Sequence, residues 1–253
     1  MERAFSWGVT ILSVTDHDTV AGLGEARDAC ACLGVRLITG IEITAVERER
    51  DVHMLGYFFD ETDAGLAAFL QDQRADRVRR VAQIGDRLRD LGIDVDVGPL
   101  VVSAAARPGR SIGRPQIADA LVASGVVRDR REAFDTLLGD ERPAFVPRQG
   151  STPAGVIAAV RAAGGIVSLA HPGLLGMDDL IPSLAAQGLS ALEVRHSDHD
   201  APTEQHYRDL AARYGLAVSG GSDFHGEGLG RTATIGTLGL TLAEFELLEA
   251  RVP

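Results

Sequence analysis

The sequence predicts an α/β protein in which parallel β/α units are interrupted by a block of helices. Short apolar runs alternate with helical segments near both ends of the chain, whereas this alternation is absent between residues 71 and 145. The chain has 253 residues, 45% of them hydrophobic, which is enough for one large core with a small subdomain. We therefore assign residues 1–70 and 146–253 to one sheet-forming domain and residues 71–145 to an inserted helical subdomain.

The first part of the chain reads as strand, helix and strand. Apolar runs at Val9 to Val14 and Val35 to Thr39 predict the two strands, and Thr19 to Leu33 predicts a helix between them. A further apolar stretch, Asp51 to Tyr57, holds His53. These segments begin the predicted sheet.

The middle of the chain reads as helices only. A long polar helix is predicted from Ala64 to about Leu91, with Gly92 as its C-cap, and its charged run at 74–80 is typical of a solvated helix face. Two shorter helices are predicted over 117–124 and 132–138.

The alternation resumes after the insertion. Apolar runs at Ile166 to Leu169, Ala191 to Val194 and Gly215 to Ser219 predict three strands. The predicted helices around them are Pro153 to Ala163, Met177 to Gln187, Thr203 to Tyr214 and Leu242 to Ala250.

Most of the predicted strands end in histidine or a carboxylate. The sharpest case is Asp223-Phe224-His225, directly after the strand at 215–219. Since the carboxyl ends of strands in a parallel α/β sheet meet on one face, these side chains are expected to converge. Imidazole and carboxylate together suit borderline metal ions better than calcium or magnesium. The others that fit this pattern are His17, Glu42, His53, His171 and His196.

The composition excludes several classes of protein. A formal charge of −11 argues against a surface that coats nucleic acid, and Cys30 and Cys32 read as reduced packing residues. There is no apolar run of membrane-spanning length, and the first residues do not resemble a signal peptide. The sequence therefore predicts a cytoplasmic protein without membrane contact, and leaves its oligomeric state open.

Seven motifs in this chain resemble the PHP (polymerase and histidinol phosphatase) family of metal-dependent phosphoesterases, in the order that the family has them. They are the segments at 14–19, 40–42, 51–57, 113–115, 170–172, 193–196 and 221–226. The resemblance implies a distorted (β/α)7 barrel with two or three divalent metal ions at its C-terminal face, usually manganese, with zinc or iron as alternatives. The helical insertion resembles the subgroup of nucleoside 3′,5′-bisphosphate phosphatases and the 5′→3′ exoribonuclease called ribonuclease AM.

The resemblance also implies roles for particular residues. Glu42 would bridge two metals, Arg114 and Arg148 would bind phosphate as bidentate forks, and His196 would contact substrate or act as a general acid. The implied metal ligands are His17, Glu42, His53, His171, Asp223 and His225.

The chain departs from the family pattern at its beginning. Family members start with a strand carrying His-x-His and a Ser-Asp-Gly loop, and neither occurs in this sequence. The barrel is therefore expected to lack its first strand. Two explanations stay open, a start assigned downstream of the true one and a degenerate copy.

The predicted function is hydrolysis of a phosphate ester by metal-bridged hydroxide. The expected substrates are a small nucleotide such as a nucleoside 3′,5′-bisphosphate, or the 5′ end of a short RNA. Two alternatives are a catalytically impaired remnant that binds metal or phosphate, and an amidohydrolase-like enzyme that cleaves carbon–nitrogen bonds.

Overall fold

The computed structural model describes residues 1–107, 109–225 and 235–253, and within them the fold is mixed α/β. Gly226, the last residue of the 221–226 motif, lies outside the described residues. No helix among those described is long and apolar enough to cross a membrane. The strands are β1 Ile11–Ser13, β2 Arg36–Ile38, β3 Gly40–Glu47, β4 Arg50–Tyr57, β5 Ile166–Leu169, β6 Ala191–Arg195 and β7 Ala217–Gly220.

Eight of the described helices match predicted ones with changes at their ends, whereas α1, α4 and α8 were not predicted. In chain order they are α1 Glu2–Ser6, α2 Leu23–Leu33, α3 Ala64–Asp90, α4 Gly98–Ala106, α5 Arg114–Ala123, α6 Arg130–Ala133, α7 Pro153–Ala162, α8 Pro172–Leu175, α9 Ile181–Ala186, α10 Ala201–Arg213 and α11 Leu242–Glu249. A π-helical turn, Phe134–Leu138, continues α6, and a 3-10 turn, Asp178–Leu180, precedes α9. Gly92 ends α3 as predicted, with φ at +76°, a left-handed value that favours glycine.

The main sheet has the order β3-β4-β5-β6-β7 and is not wholly parallel. Strands β5, β6 and β7 run parallel, whereas β4 is antiparallel to both β3 and β5. Strands β3 and β4 form a hairpin whose two-residue turn, Arg48 and Glu49, has φ of +51° and +63°. Positive φ at both positions is the geometry of a type I′ turn, which matches the twist of paired strands. The expectation of parallel pairing throughout was therefore wrong for this part of the sheet.

The sheet does not close into a barrel among the described residues. Strands β1 and β2 form a separate parallel pair, which meets the main sheet through an isolated bridge between His17 and Glu42. The predicted α/β class is confirmed, but the seven-stranded barrel is not.

Three hydrophobic clusters lie among the described residues, and α3 belongs to two of them. The first covers the main sheet with helices α7, α9 and α10 and includes Leu66 and Leu70 from the start of α3. The second involves residues 81–146 and includes Ile84 and Leu88 from the end of α3. The predicted boundary between residues 70 and 71 thus falls inside one continuous helix, and the division into domains stays a prediction.

Candidate metal centre

The centre begins where the loop after β1 meets the first residues of β3. Glu42 N donates to Asp16 O at 3.2 Å, and Asp18 N donates to Glu42 O at 2.8 Å. These two bonds pair the loop with the strand and bring His17 Nδ1 to 3.7 Å from Glu42 Oε2. Glu42 therefore lies in the third position of a strand, and not beyond the end of one as the sequence suggested.

Two more histidines approach Glu42 from the neighbouring strands. His53 lies on β4 opposite Thr44, and its Nδ1 is 2.6 Å from Glu42 Oε1. His171 directly follows β5, and its Nε2 is 3.5 Å from the same oxygen and 3.2 Å from His53 Nδ1. Three imidazoles from separate segments thus surround one buried carboxylate, which is 5% exposed.

Several polar atoms of this group lack a hydrogen-bond partner. Glu42 Oε1, His17 Nδ1 and His171 Nδ1 are buried without one among the described residues, since the short approach of His53 does not form a hydrogen bond. Ligand atoms of His17, Glu42 and His53 lie within 4.8 Å of one another. Buried polar atoms are normally paired, so unpaired donors and acceptors that face one another fit a bound cation.

The ionisation of the group favours metal binding. Burial alone would raise the pKa of Glu42, but the neighbouring His17 and His53 outweigh it and hold that pKa well below its usual value. Burial lowers the pKa of His17 to about 4, so near neutral pH its imidazole is uncharged. Burial also opposes charge on His171, but the nearby carboxylates of Glu42 and Glu193 raise its pKa overall. A metal would therefore meet an ionised carboxylate at Glu42 and an uncharged imidazole at His17.

The remaining predicted residues form a second group beside the first. His196 Nδ1 accepts a hydrogen bond from Asp198 N at 3.1 Å, so its other nitrogen, Nε2, is the donor toward Asp223 Oδ2 at 3.3 Å. The rings of His171 and His196 are 5.2 Å apart, and those of His17 and His225 are 5.8 Å apart. All six predicted ligands and His196 therefore lie around one centre.

The two predicted phosphate-binding arginines contact carboxylates. Arg148 is 4% exposed, with Nη1 at 3.4 Å from Asp18 Oδ2 and Nε at 3.2 Å from Asp76 Oδ2. Arg114 donates to Asp51 Oδ2 at 3.2 Å and to Asp140 Oδ1 at 2.8 Å. Both guanidinium groups are held by aspartates.

Sequence reasoning missed several buried charged residues. The charged run at 74–80 was expected to face water, but Arg80 is 6% exposed and Arg77 forms an ion pair with the fully buried Asp18. Glu193, which is 5% exposed, accepts a hydrogen bond from His171 N at 2.8 Å, and burial raises its pKa. Asp18 could have been suspected from the sequence, because it directly follows His17. A buried arginine on a polar helix cannot be recognised from a single sequence.

No family model matches the chain. It is 34% identical over 230 residues to a 5′-3′ exoribonuclease of Haemophilus influenzae, covering 89% of this chain and 82% of that protein. It is 32% identical over 235 residues to a 3′,5′-nucleoside bisphosphate phosphatase of Chromobacterium violaceum, covering 91% and 82%. A crystal structure described as a metal-dependent phosphoesterase, from Bifidobacterium adolescentis, superposes with a TM-score of 0.87 at 32% identity, covering 100% of this chain and 89% of that one.

Proposed function

Because the chain belongs to the PHP family of metal-dependent phosphoesterases, we propose that it hydrolyses a phosphate ester of a small nucleotide or of an RNA 5′ end. The observation that carries this proposal is the buried Glu42 carboxylate with three imidazoles around it and its Oε1 unpaired. This arrangement is unfavourable without a cation, because a buried polar atom without a partner costs free energy.

The residues that would hold the metals fall into two groups. The first group consists of the three histidines around Glu42, which are His17, His53 and His171. The second group consists of Asp223 and His225, from the loop after β7. When bound, divalent ions neutralise phosphate charge and lower the pKa of water. Two or three ions, with manganese the preferred one and zinc or iron as alternatives, fit this mixture of nitrogen and oxygen donors.

The other predicted residues serve the substrate side in this proposal. His196, whose side chain is fully buried, donates to Asp223 and so orients a ligand, and its part as a general acid stays a prediction. Arg114, with 18% of its side chain exposed, could reach a phosphate by releasing Asp140 on the surface. Arg148 would have to break two buried ion pairs to do so, which favours a supporting role for it.

The test measures manganese binding and phosphate release from adenosine 3′,5′-bisphosphate, and nucleotide release from a 5′-phosphorylated RNA. We compare the wild type with His53→Asn and with the control His206→Asn, whose ring pairs with Asp178 on the surface. His53→Asn should lose at least about a hundredfold in turnover, because a metal ligand is removed, and His206→Asn should stay within about twofold.

The outcome separates the alternatives. Manganese binding with turnover of either substrate supports the proposal, and their ratio assigns the enzyme to nucleotides or to RNA. Metal binding without turnover favours the impaired remnant, and release of amine from amide substrates instead would favour the carbon–nitrogen hydrolase. Equal activity of His53→Asn and wild type would overturn the assignment of the site.

A further inference from the structure

A second buried carboxylate, Asp18, lies directly beside the candidate ligand His17. It is 0% exposed, and its φ of +54° is a left-handed value that costs a non-glycine residue free energy. A backbone held in this conformation requires surrounding contacts that enforce it.

Asp18 joins the loop to β3 at Glu42 and at Thr44, two residues further along the strand. Its backbone N donates to Glu42 O at 2.8 Å, and its Oδ1 accepts from Thr44 N at 2.9 Å. Both bonds of Asp18 run to the strand that carries Glu42. On the other side of His17, Asp16 O accepts a bond from Glu42 N, so both sequence neighbours of His17 are bonded to β3. The separation of His17 and Glu42 therefore depends on the position of Asp18.

Helix α3 holds Asp18 from the other side. Arg77 Nε donates to Asp18 Oδ2, and Arg77 Nη2 donates to Thr44 Oγ1 at 2.9 Å, so one guanidinium spans the loop and the strand. Arg74, three residues earlier on the same face of α3, donates from Nη1 to Asp18 O at 2.9 Å. Arg148 adds a weaker contact to Oδ2 at 3.4 Å.

We infer that Asp18 and Arg77 are positioning residues, which hold His17 and Glu42 at the separation that metal binding needs and so connect α3 to the metal centre. This inference rests on the proposed function, because it assumes that His17 and Glu42 bind metal. Neither residue contacts the metal or the substrate in this account. The planar fork of Arg77 matters because two separate nitrogens, Nε and Nη2, reach Asp18 and Thr44 in fixed directions, whereas a lysine has a single nitrogen on a flexible stem.

The experiment compares three variants of the full chain, Arg77→Gln, Arg77→Lys and the control Arg80→Gln. Arg80 suits the control because it lies three residues from Arg77 on α3, has 7% of its side chain exposed, and pairs with Asp51 of β4 at 3.0 Å. The measurements are the dissociation constant for manganese, by competition with a fluorescent chelator, and the midpoint of urea unfolding without metal.

Both glutamine variants should lose stability, because each leaves an aspartate short of a cation: Asp18, which is fully buried, or Asp51, whose side chain is 20% exposed. The manganese dissociation constant should rise about tenfold to a hundredfold in Arg77→Gln, the usual effect of removing an outer contact of a metal ligand. Arg77→Lys should recover part of that loss, and Arg80→Gln should stay within about threefold of the wild type.

Equal manganese affinity in Arg77→Gln and Arg80→Gln would overturn the inference while leaving the proposed function intact. Absence of manganese binding in the folded wild type would instead overturn the proposed function, and the inference with it. If Arg77→Gln does not fold, the Arg77→Lys variant decides, since it keeps the charge and loses the two-nitrogen fork: weaker manganese binding than in Arg80→Gln supports the inference, and equal affinity overturns it.

Discussion

Glu42 and Asp18 are two buried carboxylates joined by one backbone hydrogen bond, yet their surroundings differ in kind. Asp18 is surrounded by guanidinium groups, and each of its oxygens has a partner. Glu42 is surrounded by imidazoles, and its Oε1 has no hydrogen-bond partner among the described residues. Both carboxyl groups have a pKa below the usual value in spite of burial.

The difference shows how a fold separates a structural carboxylate from a reactive one. An arginine keeps its charge at any pH that a protein meets, so it neutralises Asp18 permanently. An imidazole can lose its proton and become a metal ligand, so a bound cation can then balance the negative charge of Glu42. Burial and a lowered pKa alone would not distinguish the two sites, whereas the chemical nature of the partners does.

The largest effect should come from Glu42→Gln, which keeps the shape of the side chain and removes its charge. We expect manganese affinity to fall by at least about a hundredfold and turnover by about a thousandfold, with little change in the stability of the metal-free protein. The measurements are bound metal after dialysis and phosphate release.

The matched control for this prediction is Glu193→Gln, another buried carboxylate, which contacts the backbone of His171 and not its ring. It should lose less metal affinity than Glu42→Gln. Equal losses would mean that a negative charge anywhere near the centre is sufficient.

Asp18→Ala should produce the largest loss of stability. Removing this carboxylate leaves Arg77 without its aspartate partner and Arg148 with Asp76 alone, and an uncompensated charge in the interior typically costs about 3–5 kcal/mol. The measurement is the free energy of unfolding in urea without metal. Asp135→Ala is the control, because its pair with Arg131 is exposed to water, and it should change stability by less than about 1 kcal/mol. Similar losses in both variants would contradict the contrast drawn here.

The smallest effect concerns pH. Burial lowers the pKa of His17 from 6.5 to about 4. The negative charges of Glu42 and Asp18 act to raise this pKa, and the positive charges of His53 and Arg77 act to lower it further. The folded protein therefore binds fewer protons than the unfolded chain between these values, and stability should fall as pH falls from 6.5 toward 4. Asp18, whose pKa is lowered, contributes stability that is lost only below 3.8.

The raised pKa of His171 acts in the opposite direction, because its contribution is lost as pH rises through the folded pKa. His17→Asn isolates the first effect, since it removes that titration alone. Urea unfolding in a chelator, at about pH 7 and about pH 4.5, should show a smaller fall in the variant. An identical fall would mean that His17 is not held neutral in the folded state.

The sequence predicted the helices and the meeting of the candidate ligands better than it predicted the sheet. The long helix ending at Gly92 and the strands at 166–169 and 191–195 are confirmed, because periodicity and a left-handed glycine are local signals. The β3–β4 hairpin was missed because its turn, Arg48-Glu49, lacks the usual asparagine or glycine. Antiparallel pairing there depends on contacts across the sheet that no local pattern contains.

The support of the centre was the least predictable part. The arginines at 74–80 look identical to solvent-facing charges in the sequence, and only the packing of α3 shows that Arg77 and Arg80 face inward. His17, Glu42 and His53 were predictable as a group because their residue types and order resemble a family pattern. Their distances were not, because those depend on Asp18 and on hairpin register.

The continuity of α3 has a consequence for protein engineering. The helix has 27 residues, so it spans about 40 Å, and its two ends are buried in different hydrophobic clusters. The helical insertion therefore cannot be exchanged as a cassette at its predicted boundary, since a cut after residue 70 would also remove Gln73 and Arg77 from β3. A chimera that keeps the centre intact must carry the first half of this helix from the recipient and join the donor sequence beyond Arg80.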